Sequence, residues 1–139
     1  MRPKPRPFAI SAVCAILLTA CASSGANEQT SIIGYSSVAE ARHAVLTIPG
    51  ATTREEDGWL IVVDPTNYTL WTFTPPGHEA YPAVVKRVIT QQNDGLYVQM
   101  TALCQAEKPA CDRLFARFKQ MNENARRAIE RRSGHELSI

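Results

Sequence analysis

Closely spaced turn signals constrain this chain more than any other feature. Asp57-Gly58, the Asp64-Pro65-Thr66-Asn67 tetrapeptide and Asn93-Asp94-Gly95 punctuate its middle, separating runs rich in aliphatic, β-branched and aromatic residues. A parallel neighbour needs a crossover of roughly a dozen residues or more, and these connections are shorter. The strands are therefore expected to pair as antiparallel neighbours in chain order.

The runs themselves differ in character. Ala51 to Glu56 is largely polar and reads as an edge, whereas Trp59 to Asp64 (WLIVVD) is apolar on both faces and reads as a central strand. Tyr68 to Thr74 and Ala83 to Gln92 follow. In Leu96 to Cys104 the residues Leu96, Val98, Met100 and Ala102 share one face, and Tyr97, Gln99 and Thr101 share the other.

A helix is expected on either side of these strands. Ser37-Val38-Ala39-Glu40 fits a capping box, after which Val38, Ala41, Val45 and Ile48 recur at helical spacing until Pro49-Gly50. Beyond Pro109, the residues Leu114, Phe118, Met121, Ala125 and Ile129 form one apolar stripe. Glu123 and Arg127 stand at i, i+4, and Arg131 and Arg132 precede Ser133-Gly134 at the negative end of the helix dipole. The order is α-β-β-β-β-β-α. The expected fold class is α+β: an antiparallel meander sheet of about four to five strands, with the N-terminal and C-terminal helices on one face. At 139 residues there is room for one such domain, placed at 36–133, with 134–139 as a frayed tail.

The N-terminus is of another kind. Arg2, Lys4 and Arg6 occur without an acid, and Phe8 to Ala20 follows as an apolar stretch broken only by Ser11 and Thr19. These are the n-region and h-region of an export signal over residues 1–20. As a helix the apolar part reaches about 20 Å, short of the ~30 Å hydrocarbon core. Leu18-Thr19-Ala20-Cys21 closes it and resembles the lipobox of bacterial lipoproteins. That resemblance implies acylation of the Cys21 thiol, cleavage before it, and a stable anchor of several acyl chains. Ala22 stands where many enterobacterial lipoproteins carry a retention Asp, which by the same resemblance favours the outer membrane, facing the periplasm. Residues 21–35, including the small polar stretch Ser23 to Thr30, read as the lipidated cysteine and a flexible tether.

Cleavage would change both the charge and the cysteine arithmetic. The full chain has 15 Lys+Arg against 13 Asp+Glu; losing Arg2, Lys4 and Arg6 shifts the formal net charge from +2 to -1. The remaining basic residues concentrate between Arg113 and Arg132, a distribution that would favour acidic partners. No nucleic-acid-binding pattern is present, and nucleic acid is not an expected partner outside the cytoplasm. With Cys14 removed and Cys21 acylated, Cys104 and Cys111 remain as a pair, which in an exported protein suggests a disulfide. Their spacing is not that of a zinc site, and no metal or other cofactor is expected.

One connection stands apart. Pro75 to Pro82 (PPGHEAYP) is longer than a hairpin needs and carries three prolines. His78 and Tyr81 within it, Trp71 and Phe73 before it, and Lys86 and Arg87 after it are the candidate partner-binding residues, an aromatic and polar recognition site; Glu79 adds a carboxylate. The stretch Leu70 to Arg87 (LWTFTPPGHEAYPAVVKR) resembles a segment of small proteobacterial envelope lipoproteins, extending through Cys104 and Cys111. That family carries no assigned activity, so the resemblance implies a domain unit and no catalytic roles.

No nucleophile elbow, zincin motif, P-loop or dinucleotide fingerprint occurs. The expectation is a non-enzymatic binding or accessory lipoprotein, held to the membrane by its lipid and partnered with an envelope protein or cell-wall component. Two alternatives are an inhibitor or immunity-type lipoprotein acting on a cell-wall-degrading enzyme, and an envelope hydrolase using His78.

Overall fold

The computed structural model describes residues 32–93 and 95–136; the segment expected to be an export signal, Cys21, most of the expected tether, Asp94 and residues 137–139 lie outside the described residues. Helix α1 (Val38–Leu46) is followed by strands β1 (Thr52–Glu56), β2 (Trp59–Asp64), β3 (Thr69–Phe73), β4 (Ala83–Gln92) and β5 (Gly95–Cys104), and by helix α2 (Lys108–Glu136). The strands form one antiparallel five-stranded sheet in the order β1-β2-β3-β4-β5. The meander follows from the turns. Asp64, 3 % exposed, accepts the backbone N–H groups of Thr66 and Asn67 on Oδ1, at 3.1 and 3.3 Å, and the Asn67 amide on Oδ2 at 2.7 Å. Gly58 takes φ +80 with Pro75 Cβ 3.2 Å from where its own Cβ would stand, so both conformation and space ask for glycine.

The capping box is realised one residue early on one side. Ser37 Oγ accepts the Glu40 N–H at 3.1 Å, while the Glu40 carboxylate accepts the N–H of Ser36 at 2.9 Å. The next free donor of α1, Val38 N–H, is taken by the side chain of Gln105 at 3.0 Å, tying the helix to the end of β5.

Sheet register corrects the expected placement of the helices. Leu60, Val62, Trp71, Phe73, Val84 and Leu103 share one face by cross-strand pairing, and α1 covers it with Val38, Ala41 and Val45. Trp59, Val85, Met100, Ala102 and Cys104 occupy the other face, where α2 docks with Ala110, Leu114 and Phe118. The helices therefore lie on opposite faces, not on one. A strand apolar on both faces, as β2 is, leaves one apolar side in water unless each side has its own cover. β2 is interior, but the middle of the sheet is β3, with four of its five residues buried.

The boundaries shift as well. Ile33 is 2 % exposed in the α1-side core, and Tyr35 packs edge-on against Trp71 at 5.8 Å, so part of the expected tether belongs to the fold. α2 runs through Ser133-Gly134 to Glu136. Its ion pairs differ by one position from the expected pair: Glu123 meets Arg126, which also meets Glu130, and Arg127 donates to Asn124. Cys104 and Cys111 are disulfide-bonded with Cα atoms 5.8 Å apart, joining the end of β5 to the first turn of α2.

Candidate functional site

The six candidate partner-binding residues do not form one site. Pleating sends alternate residues to opposite faces, so Trp71, Phe73 and Lys86 lie on the α1 side and Arg87 on the α2 side. Trp71 and Phe73 are core, 5 % and 3 % exposed, and Lys86 Nζ rests 4.9 Å from the Trp71 ring centre. They hold the fold and offer little surface to a partner.

The proline-rich connection is tied down internally. Thr74 N–H donates to Ala83 O at 3.0 Å, and Thr74 Oγ1 accepts the Ala83 N–H at 2.9 Å. His78 Nδ1 accepts the Ala80 N–H at 3.0 Å, and its ring packs edge-on against Trp59 at 4.9 Å. Glu79 receives a two-pronged contact from Arg113, Nε to Oε1 at 3.1 Å and Nη2 to Oε2 at 2.7 Å. Those hydrogen bonds, with the charge of Arg113, hold the Glu79 carboxyl below its ordinary range. Tyr81 is 48 % exposed, beside a recess of about 400 Å³ that also touches Phe73, Arg42 and Gln105. The Tyr81-Pro82 peptide is cis.

On the α2 side a row of rings links two of the candidates. His78 meets Trp59, Trp59 lies 6.1 Å from Phe118, and Arg87 Cζ sits 5.3 Å from the Phe118 ring centre. Trp59 and Phe118 were not among the candidates. The parity of Trp59, shared across the sheet with Met100, Ala102 and Cys104, is the sequence signal that would have marked this face.

Past Phe118 the packing opens. Met121 and Ile129 are each 46 % exposed, and opposite α2 stand Ile89, Leu96 and Val98 at 37, 44 and 38 %. Pairing of β3 with β4 stops at Thr69 and Val88, so the β4–β5 hairpin projects beyond the rest of the sheet. A groove of about 490 Å³ separates it from the second half of α2; Leu70, Ile89, Leu96, Val98, Ala125 and Ile129 give it apolar walls, and Arg87 lines it together with Glu123 and Arg126, which pair with each other.

Arg87 is the unusual group there. Nη2 donates to Thr72 Oγ1 at 3.4 Å, Nε is buried without a hydrogen-bond partner, and among the described residues no carboxylate pairs with it. Burial, and then the charge of Arg54, lower its pKa from the ordinary guanidinium value. The groove thus combines apolar walls with a guanidinium that no described carboxylate pairs, the Glu123 carboxylate in its lining being engaged by Arg126. Among the described residues there is no cluster of three or more metal-ligating side chains, and no helix is long and apolar enough to cross a membrane. No protein-family model, curated protein or solved structure matches this chain.

Proposed function

We propose that this protein is an envelope lipoprotein, acylated at Cys21 and held at the outer membrane facing the periplasm, whose folded domain is a non-enzymatic binding module. Its binding surface is the groove between the second half of α2 and the projecting β4–β5 hairpin. The observation that carries this reading is the joining of exposed apolar side chains to Arg87, whose buried Nε has no hydrogen-bond partner and whose charge no carboxylate pairs among the described residues. Such a surface suits an envelope partner that presents an apolar segment with an acidic group, because the acid would compensate a guanidinium that burial disfavours. The lipobox resemblance at Leu18 to Cys21 supports the anchor, and the Cys104–Cys111 disulfide suits an oxidising compartment.

The test separates anchor from groove. Mass spectrometry of the membrane-extracted protein is expected to find Cys21 as the first residue with acyl chains attached, and Cys21→Ser to abolish both cleavage and extraction with membranes. In pull-downs from detergent-solubilised envelope, Arg87→Gln and Ile129→Ser are expected to lose partners that wild type and Tyr81→Ala both recover. Equal recovery by all four proteins would remove the groove reading and leave the anchor standing.

A further inference from the structure

The two edges of the sheet are built differently. β1 is five residues long, and three of them are Arg54, Glu55 and Glu56, the charged and short design that keeps an edge from pairing with another strand. β5 is ten residues long and contains no Asp, Glu, Lys, Arg, His or Pro. None of its ten residues is buried.

Register identifies which backbone groups this edge leaves open. Gln105 N–H donates to Pro82 O at 3.0 Å, extending the ladder in which Ala83 faces Cys104. Alternation along an antiparallel pair then turns Leu103, Thr101, Gln99 and Tyr97 toward β4, and points the N–H and C=O of Leu96, Val98, Met100 and Ala102 outward. Among the described residues, no backbone hydrogen bond closes these outward groups.

We infer that β5 pairs antiparallel with β5 of a second copy about a two-fold axis at Gln99, joining two five-stranded sheets into one continuous sheet. The strand is complementary to itself in that register. Leu96 faces Ala102 and Val98 faces Met100, apolar against apolar, while Gln99 faces its own copy, where each amide can donate to and accept from the other. The open groups of the two strands then form about eight hydrogen bonds. Absence of charge on β5 matters here, because a two-fold axis places every residue near the axis close to its own copy, and any charge there would repel itself. β1 would bring Arg54 or Glu55 into that position.

The experiment uses the full chain in detergent, with protein mass measured by light scattering over a tenfold concentration range. Wild type is expected at twice the mass of a single chain, and Gln99→Lys and Gln99→Glu each at the single-chain mass. Mixing the two variants in equal amounts should restore the doubled mass, since opposite charges then meet at the axis. Val98→Pro removes only an outward N–H and is expected to halve the mass with an unchanged circular dichroism spectrum; it decides the matter if a charged variant loses its native spectrum. A wild type that stays at the single-chain mass, charged variants that keep the doubled mass, or a mixture that fails to recover it would each overturn the pairing.

Discussion

Lys86 and Arg87 are consecutive in sequence and lie on opposite faces of the sheet. One rests on Trp71 under the α1 side, the other on Phe118 under α2. Reading them as one basic pair treats the chain as a string, whereas a pleated strand separates neighbours by its own thickness. The proline-rich loop teaches the converse: His78 and Glu79 look free in sequence and are engaged in space, by Trp59 and by Arg113. Because Arg113 lowers the Glu79 pKa, the pair contributes stability above the ordinary carboxylate value near 4.5 and loses it as pH falls through the lowered pKa. Arg113→Ala is expected to raise the Glu79 pKa toward the ordinary value, read by NMR titration of its carboxyl carbon. The acid-side fall in stability should then lose the contribution of this pair. Both groups are exposed, so the change in stability at neutral pH is expected to be small.

At the scale of elements, α2 divides into two unequal halves. Its apolar stripe is continuous in sequence from Leu114 to Ile129, but Leu114 and Phe118 are 3 and 4 % exposed while Met121 and Ile129 are 46 % exposed. Periodicity tells a helix which side is apolar; it carries no information about how far the partner surface extends. Phe118→Ala is therefore expected to cost about 3–5 kcal/mol, as for an aromatic ring removed from a core, and Ile129→Ser no more than about 0.5 kcal/mol. Urea unfolding of the two variants measures the contrast. Similar losses in both would mean that the second half of α2 is packed as tightly as the first.

For the molecule as a whole, the sheet is an interior layer with one helix on each side, and the disulfide closes the short link between β5 and α2, the longer helix. Replacing Cys104 and Cys111 together by Ser is expected to lower stability by about 2–3 kcal/mol in denaturant titration, by restoring freedom to the unfolded chain. An unchanged midpoint would show that docking of Leu114 and Phe118 holds α2 in place unaided.

The amino-acid sequence by itself determined the elements and their order. Turn chemistry at Asp57-Gly58 and Asp64 to Asn67, the capping box at Ser37 and the pairing of Cys104 with Cys111 are local matters, settled by residues close together in the chain. Helix placement was misread, both being expected on one face, although the apolar residues on both faces of β2 and the parity of Cys104 with Met100 and Ala102 carried a signal against it. Only the tertiary structure decided which residues share a surface. The groove at Arg87 joins β3, β4, β5 and α2, and the edge of β5 is open because the chain continues from it into α2 and no further strand pairs with it among the described residues. Such neighbourhoods depend on contacts between distant parts of the chain, and no local rule of spacing or composition encodes them.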